Sequence, residues 1–377
     1  MDRRPRAGDN PDMLLNDLVC ALDDIAPIRN AESWDNVGLL VGDPSQSVSK
    51  VMLTIDYTDA VAAEASAAGC DAIVAYHPPI FEPLKRVVAG SVVYDALRRG
   101  VAIYSPHTAL DVVAGGTNDM LADVLELPAE RAPLRLAQTK ASLLKLVTFV
   151  PEKDAGRVSE ALFAAGAGRI GAYTHCSFLT RGTGTFFGEE GKTNPAVGDS
   201  GKLERADELR VETVVPLSKV EAVIRALRRA HPYEEPAFDL NQLAAPPEGL
   251  GQGRLGVFEK PIERKELFER VKRGLGVAHL LVAGPTAGTA SRAAVCAGAC
   301  GDLLNDAIAQ RADFYLTGEV RHHDAIKAAR AGVTVVCVLH SNSERAVLKR
   351  LKSRLEERLP ELNYRISQSD RDPFQVQ

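Results

Sequence analysis

The sequence has no CxxC pair, no phosphate-binding loop of the form GxxxxGK[ST], no long apolar run and no excess of basic charge. Each absence removes a class of function. Its six cysteines (Cys20, Cys70, Cys176, Cys296, Cys300 and Cys337) stand singly, mostly among Ala, Gly and Val, so buried reduced thiols are expected rather than disulfides or metal ligands. The longest apolar runs, such as residues 333–339, are far too short to span a bilayer, and the polar start MDRRPRAGDNPDM (1–13) leads into no apolar segment. A soluble, cytoplasmic chain without membrane contact is expected. With 45 Lys and Arg against 50 Asp and Glu, the formal charge is −5, which lacks the basic footprint of a nucleic-acid binder. What remains is an ordinary globular composition, 45% hydrophobic and 25% charged over 377 residues, enough for two or three domains and at least one large core.

In the N-terminal part, the short β-rich runs VMLTID (51–56), AIVAY (72–76) and VAIY (101–104) are separated by helical patterns. That alternation predicts βαβ units on a mainly parallel sheet. In TDAVAAEASAAGC (58–70), Thr58 or Asp59 offers an N-cap and Gly69 a stop; Asp95–Arg99 before Gly100 closes a second helix in the same way. The C-terminal part repeats the style, with a helix over 302–312, a strand over 313–317, a helix over 323–332 and a strand over 333–339. A long amphipathic helix over 343–359 follows. The tail 367–377 has no periodicity, and is expected to be loose or to lie over a neighbour.

The middle carries a weak internal repeat. Residues 144–168 read as apolar strand, proline, then a helix ending in glycine, and residues 210–232 repeat that order. With strand-like segments at 173–187 and 237–240, the pattern fits a βαββαβ, ferredoxin-like module. The expected architecture is α/β: an interrupted core with a mainly parallel sheet, residues 1–137 and 256–377, and an inserted ferredoxin-like α+β domain over 138–255. Its bounds are Thr139–Lys140 and the Pro/Gly-rich APPEGLGQG (245–253).

Three of the eight histidines stand just beyond predicted strands: His77, His107 and His340. In an open α/β sheet, strand C-termini share the edge where ligands bind. Two of them have an acid four residues later, in HTALD (107–111) and HSNSE (340–344), so a helical turn puts each imidazole and its carboxylate on one face. Singly, each is readable as a strand-end side chain satisfied by backbone carbonyls. Together, His77, His107, Asp111, His340 and Glu344 form a ligand set suited to Zn, Mn, Fe or Co. Five groups exceed the need of one tetrahedral ion, whereas bridging carboxylates suit two divalent metals about 3.5–4 Å apart. His322 and His323 open a predicted helix without an acid at i+4. His175, His231 and His279 lie in or beside the middle module and receive no metal role; HPYEE (231–235) reads as a module surface or subunit contact.

Taken in order, ESWDNVGL (32–39), YHPPIF (76–81), SPHTALD (105–111), HPYEEPAFDL (231–240), GRLG (253–256), ADFYLTGEVRHHDA (312–325) and HSNSE (340–344) make the chain resemble the GTP cyclohydrolase 1 type 2 family, also called the Nif-three-like family, over nearly its whole length. The resemblance implies a toroidal homohexamer, two divalent metals per subunit facing an internal cavity, and a PII-like or CutA-like inserted domain. It implies the same five metal ligands: His77, His107, Asp111, His340 and Glu344.

One position departs, for many members of that family carry a histidine where this chain has Tyr76. A phenol with an ordinary pKa of about 10 is more cheaply kept as a neutral hydroxyl facing water or substrate than as a phenolate ligand. The activity implied is a metal-dependent cyclohydrolase acting on GTP or a related heterocycle. Two metals would lower the pKa of a bridging water toward about 7, and the resulting hydroxide would open the guanine imidazole ring and release formate. Glu344 is the expected ligand and proton shuttle, with Tyr76 or His323 as donor to the leaving nitrogen. Triphosphate contacts would come from scattered Arg and Lys or from AGACG (297–301), a loop that reads equally as a tight turn. The alternative, of another class, is a non-catalytic metal-binding assembly acting through its inserted domain.

Overall fold

The computed structural model describes residues 13–137, 143–243, 249–299 and 301–375. Residues 1–12 of the polar start, the Thr139–Lys140 boundary, Cys300 of the 297–301 loop and the last two residues of the tail lie outside them. The chain divides into two compact units, Met1–Gln138 with Pro247–Gln377, and Thr139–Pro246.

The first unit is mixed α/β and holds two five-stranded sheets. In the first sheet the strands run in the order Gly38–Val41, Ala102–Ser105, Ala72–Ala75, Lys50–Thr54 and Asn363–Ile366, all parallel except the first pair. Its central strands are apolar without alternation because helices cover both faces. On one face lie the crossover helices Asp59–Ala68 and Val92–Arg99, which pack Val61, Ala65, Val93 and Ala96 against Met52, Ile73 and Ile103. Thr58 and Ser91 cap them, accepting from Val61 and Tyr94, and Gly69 and Gly100 end them at positive φ. On the other face the helix Leu15–Ile25 and the helix Val347–Arg358 bury Leu18, Leu22, Leu351 and Leu355 against Leu53, Val74 and Tyr76. Each fully buried Leu of this kind is worth about 1.5–3 kcal/mol.

The second sheet runs Arg254–Glu263, Thr289–Ala299, Phe314–Glu319, Thr334–Cys337 and Leu281–Ala283. Its three middle strands are parallel and both edges antiparallel. The expected helix over 343–359 divides: a short helix, His340–Glu344, precedes Val347–Arg358. The break lets the first piece end the second sheet while the second piece lies on the first.

In the second unit the strands Leu143–Pro151, Ser177–Phe187, Leu203–Pro216 and Phe238–Gln242 alternate with the helices Glu152–Ala164 and Val220–Ala230 in the order βαββαβ. The sheet is antiparallel throughout, with the second strand outermost, then the third, the first and the fourth. Leu146, Val150, Val211 and Val215 meet Val158, Leu162, Val223 and Leu227 of the helices. The HPYEE segment is a locked corner. His231 donates from Nε2 to the Phe149 carbonyl at 2.9 Å and accepts at Nδ1 from the Tyr233 amide at 3.1 Å, and burial holds its pKa below the ordinary value. A neutral imidazole meets both demands, and with both ring nitrogens engaged it joins no metal group among the described residues.

Gly251–Gln252 pairs with Arg135–Leu136, so the chain rejoins the first unit ahead of residue 255, the end set from the sequence. Close behind, Arg254 is buried; it pairs with Asp119 at 2.9 Å and donates to the carbonyls of Gly251, Gly253 and Val113. The GRLG motif is therefore a packing device: Arg254 satisfies loop carbonyls, and a Cβ on Gly253 would stand 2.8 Å from the Val295 carbonyl oxygen.

The tail is bound to its own unit. Glu64 accepts from the Ser367 hydroxyl at 2.6 Å and from the amides of Gln368 and Ser369. Asp370, buried, accepts from the Ile55 amide at 2.7 Å and pairs with Arg345 at 2.5 Å. This clamp joins the end of the strand Lys50–Thr54 to the turn after His340–Glu344. The expected outcome of Arg345→Ala is a loss of about 3 kcal/mol, since removing that partner strands the buried Asp370 carboxylate. Urea unfolding followed by circular dichroism measures it; an unchanged midpoint would show that the clamp carries no stability.

Candidate metal centre

The C-terminal ends of strands from both sheets of the first unit supply one cluster of imidazoles and carboxylates. His77 follows Ala72–Ala75, His107 opens the helix His107–Val112 after Ala102–Ser105, and His340 opens the helix His340–Glu344 after Thr334–Cys337. His107 and Leu339, the residue before His340, both adopt positive φ, 27° and 72°. Non-glycine residues hold such conformations at a cost of about 1–3 kcal/mol, and they persist where the surroundings enforce them.

Each of the three imidazoles is tied through Nδ1 to its own carboxylate: His77 to Asp56 at 2.9 Å, His107 to Asp35 at 2.8 Å and His340 to Glu319 at 2.9 Å. With Nδ1 engaged, Nε2 is the nitrogen left for a ligand, the arrangement by which outer carboxylates orient metal-binding histidines. Asp35 also accepts from the Thr108 amide and hydroxyl. Burial alone would raise the pKa of Asp35 and of Asp56, but the imidazoles of His107 and His77 hold both below the ordinary carboxylate value.

Glu344 lies at the middle, 3% exposed. Its Oε1 faces Nε2 of His340 at 3.2 Å and its Oε2 faces Nε2 of His77 at 3.3 Å. The Oε2 contact is within ion-pair reach but off the line of a hydrogen bond, so that this buried oxygen has no hydrogen-bond donor. His77, His340 and Glu344 offer ligating atoms that all lie within 4.8 Å of one another. Two ligands bonded to one ion at about 2.0–2.2 Å and near-tetrahedral angles stand about 3.2–3.6 Å apart. The donor set and its spacing fit a divalent cation.

The charge balance points the same way. Burial opposes an imidazolium at His77, yet the hydrogen bond to Asp56 and the attraction of Glu344 prevail and raise its pKa to about 10. Glu344, and then Glu319, raise His340 to about 9 against the opposition of burial. Burial would also raise Glu344, but the two imidazoles keep it ionised, below the ordinary value. Without metal, two protons supply the positive charge that this carboxylate needs.

His107 and Asp111 adjoin this group. The rings of His77 and His107 lie 5.3 Å apart, as do those of His77 and His340. Asp111 projects from the same short helix as His107, and burial raises its pKa, a shift that the Tyr76 hydrogen bond and His107 oppose. The Tyr76 hydroxyl, fully buried, donates to Asp111 rather than facing open space. Burial and the neighbouring Asp111 push its pKa well above the ordinary phenol, so it stays a neutral donor. His323 is exposed on the helix His322–Arg330, its ring against His322 at 5.4 Å; among the described residues it is not part of the cluster.

Several contributors are legible only in the structure. Asp35, Asp56 and Glu319 follow loop or strand ends but have no distinctive spacing to the histidines they hold. Asn118 bridges the carbonyl of Asp111, at 3.0 Å, to the amide of Ala297, at 2.9 Å. Next to it Gly298, φ +67°, keeps the centre open: a Cβ there would stand 2.6 Å from Glu344 Oε1 and 3.2 Å from His340 Nε2. The glycine of the AGACG loop thus clears space for the carboxylate.

The chain matches the Duf34/NIF3 (NGG1p interacting factor 3) family over residues 13–373. A Halalkalibacterium halodurans protein named GTP cyclohydrolase 1 type 2 homolog is 36% identical over 343 residues, 90% of this chain and 91% of its own. A Mycobacterium tuberculosis protein of the same name is 38% identical over 337 residues, 88% of each chain. Among solved structures, a Bacillus cereus protein related to NIF3 is 34% identical with a TM-score of 0.73, covering 97% of this chain and 100% of its own. A Staphylococcus aureus protein gives 25% identity and a TM-score of 0.80 over 98% of this chain and 100% of its own. With a family match across almost all of its length and relatives above 30% identity, this chain belongs to the Duf34/NIF3 family.

Proposed function

We propose that this protein is a divalent-metal-dependent hydrolase that opens the imidazole ring of GTP or a related heterocycle. The observation that carries the metal reading is Glu344, a buried carboxylate whose two oxygens face two different imidazoles at 3.2 and 3.3 Å. His77, His340 and Glu344 would hold one divalent ion, and His107 and Asp111 beside them would complete the set for a second. Divalent ions bound there supply Lewis-acid activation of water and of a ring nitrogen. Asp56, Asp35 and Glu319 fix the imidazoles by their Nδ1 atoms, and Tyr76 holds Asp111 by its hydroxyl hydrogen bond. Glu344 is the group placed to take and return a proton beside the reacting ring. The names of the relatives support the substrate; the donor set around the buried Glu344 supports the chemistry.

The same reading takes the second unit as an inserted ferredoxin-like domain of the PII/CutA kind, supported by its βαββαβ order and antiparallel sheet, and takes the assembly as a homohexamer, supported by the family resemblance.

Purified, metal-replete protein is expected to carry about two divalent ions per chain and to release formate from GTP with loss of guanine absorbance. Glu344→Ala is expected to lower both the metal content and the turnover by more than tenfold. Elemental analysis and a formate assay read the two separately. Full metal content without turnover on repeated assay would defeat the GTP assignment and favour a binding assembly; a stable protein that takes up no metal would defeat the centre itself.

The raised values at His77 and His340, about 10 and about 9, fix the sign of a pH effect. In metal-free protein their protonated forms add stability that is fully present below the ordinary histidine value and is lost as pH rises through about 9 to 10. Metal must displace those protons, so uptake near neutral pH is expected to release about two of them, and affinity to rise with pH through the same window. Calorimetry in buffers of differing ionisation enthalpy measures the release, and pH-independent uptake would contradict it.

A further inference from the structure

Beside the centre stand two large aromatic side chains that the fold leaves in solvent. Trp34 is 59% exposed and Phe81 52% exposed. Their ring centroids are 6.0 Å apart with the planes inclined at 53°, and the Trp34 ring lies 6.1 Å from that of His107, edge to face. Trp34 is the one tryptophan of the chain.

These rings do not ride on a loose loop. Asp35, the residue after Trp34, is joined to His107 Nδ1 at 2.8 Å and accepts from the Thr108 amide at 3.2 Å. Asn36 donates to the carbonyl of Ile80, the residue before Phe81, at 2.5 Å. The Glu32 amide donates to the Thr108 hydroxyl at 3.0 Å. Three cross-links therefore fix the Trp34 segment against the start of the His107 helix and a fourth group of atoms fixes the Phe81 segment against it. Fixed apolar area in water returns nothing to the free chain. It gains when a flat apolar face covers it, and here the face would lie one ring away from His107.

We propose that Trp34 stacks on the face of a planar heterocycle, with the inclined Phe81 ring meeting its rim, and that the edge of this heterocycle is presented to the His77, His107 and Glu344 centre. They are then the residues that select a nucleobase-like ring over a sugar phosphate or a peptide. Stacking is suited to this discrimination because it requires a π-face and is indifferent to the ribose and phosphates. The inference deepens the proposed function and rests on it for the ring as substrate, but it concerns binding and not turnover.

The full-length protein loaded with Zn²⁺ serves for the test, with guanosine as a ring without phosphates and ribose 5-phosphate as a phosphate without a ring. Guanosine is expected to quench Trp34 fluorescence saturably, and ribose 5-phosphate to leave it unchanged. By calorimetry, Trp34→Ala and Phe81→Ala should each weaken guanosine binding about tenfold with metal content unaltered, and Trp34→Phe should restore most of the loss. Equal quenching by both probes, or guanosine affinity within twofold of the parent in Trp34→Ala, overturns the stacking. So does a Trp34→Ala protein whose native mass changes while its guanosine affinity does not, since the exposed Leu84, Val87 and Val88, a few residues beyond Phe81 in the chain, would then belong with Trp34 to a contact between copies. Guanosine stacking without formate release from GTP would defeat the proposed reaction and leave this inference standing; GTP turnover with an unaltered KM in Trp34→Ala would do the reverse.

Discussion

A buried carboxylate must be neutralised, and in this protein one such group organises the whole centre. Glu344 sits where strands of two separate sheets end, with an imidazole from each sheet turned toward one of its oxygens. Removing either imidazole leaves one oxygen of a 3% exposed carboxylate without its facing cation, a change costlier than the loss of a single exposed ion pair. The fold has to bring the two sheet ends together, and the C-terminal segment does it. After His340–Glu344 the chain crosses back to cover the first sheet with the helix Val347–Arg358, then adds the strand Asn363–Ile366 to its edge. Asp370 finally ties Arg345, next to Glu344, to Ile55, next to Asp56.

The outer carboxylates give the arrangement its direction. Three imidazoles tied by Nδ1 to three different acids are each held in one orientation, so that a metal displacing the second proton meets Nε2. Because each acid comes from a different loop or strand end, no helix periodicity links it to its histidine. The same loops carry side chains of a second kind. The backbone of the Trp34 segment that delivers Asp35 to His107 also delivers the indole to the rim, so metal-ligand orientation and the apolar rim are set by one short stretch of chain.

Strand-end histidines were legible in the sequence because short apolar runs, glycine stops and capping residues punctuate the first unit clearly; Thr58, Gly69 and Gly100 act in the structure as their residue types suggest. The i+4 acids Asp111 and Glu344 were legible for the same reason, since His107–Val112 and His340–Glu344 are both helical. The division into two sheets was not. The antiparallel edge Leu281–Ala283 and the long strand Thr289–Ala299 have no run of β-branched residues to announce them, and the strand Asn363–Ile366 takes its place from tertiary pairing with Lys50–Thr54 rather than from its own pattern. The tail looked structureless because its order comes from side chains, Glu64, Asp370 and Asp372, gripping hydroxyls and amides without any period. From the sequence Tyr76 is expected to face water or substrate, whereas its partner is Asp111, a pairing that depends on the helix after the neighbouring strand.

The short pairing of Arg135–Leu136 with Gly251–Gln252 has a topological meaning. The amide of Ala137 donates to the carbonyl of Leu250 at 3.2 Å, so the chain leaves the first unit and re-enters it at facing positions on a two-stranded ladder. From the first unit's side, everything between is a hairpin loop of unusual length. Loop-closure entropy grows only logarithmically with length, and a ladder already closed at its base makes that growth nearly irrelevant to the strands carrying His77, His107 and His340. What hangs on this hairpin can therefore change in length or identity without moving the strand ends that carry the buried carboxylate and its imidazoles.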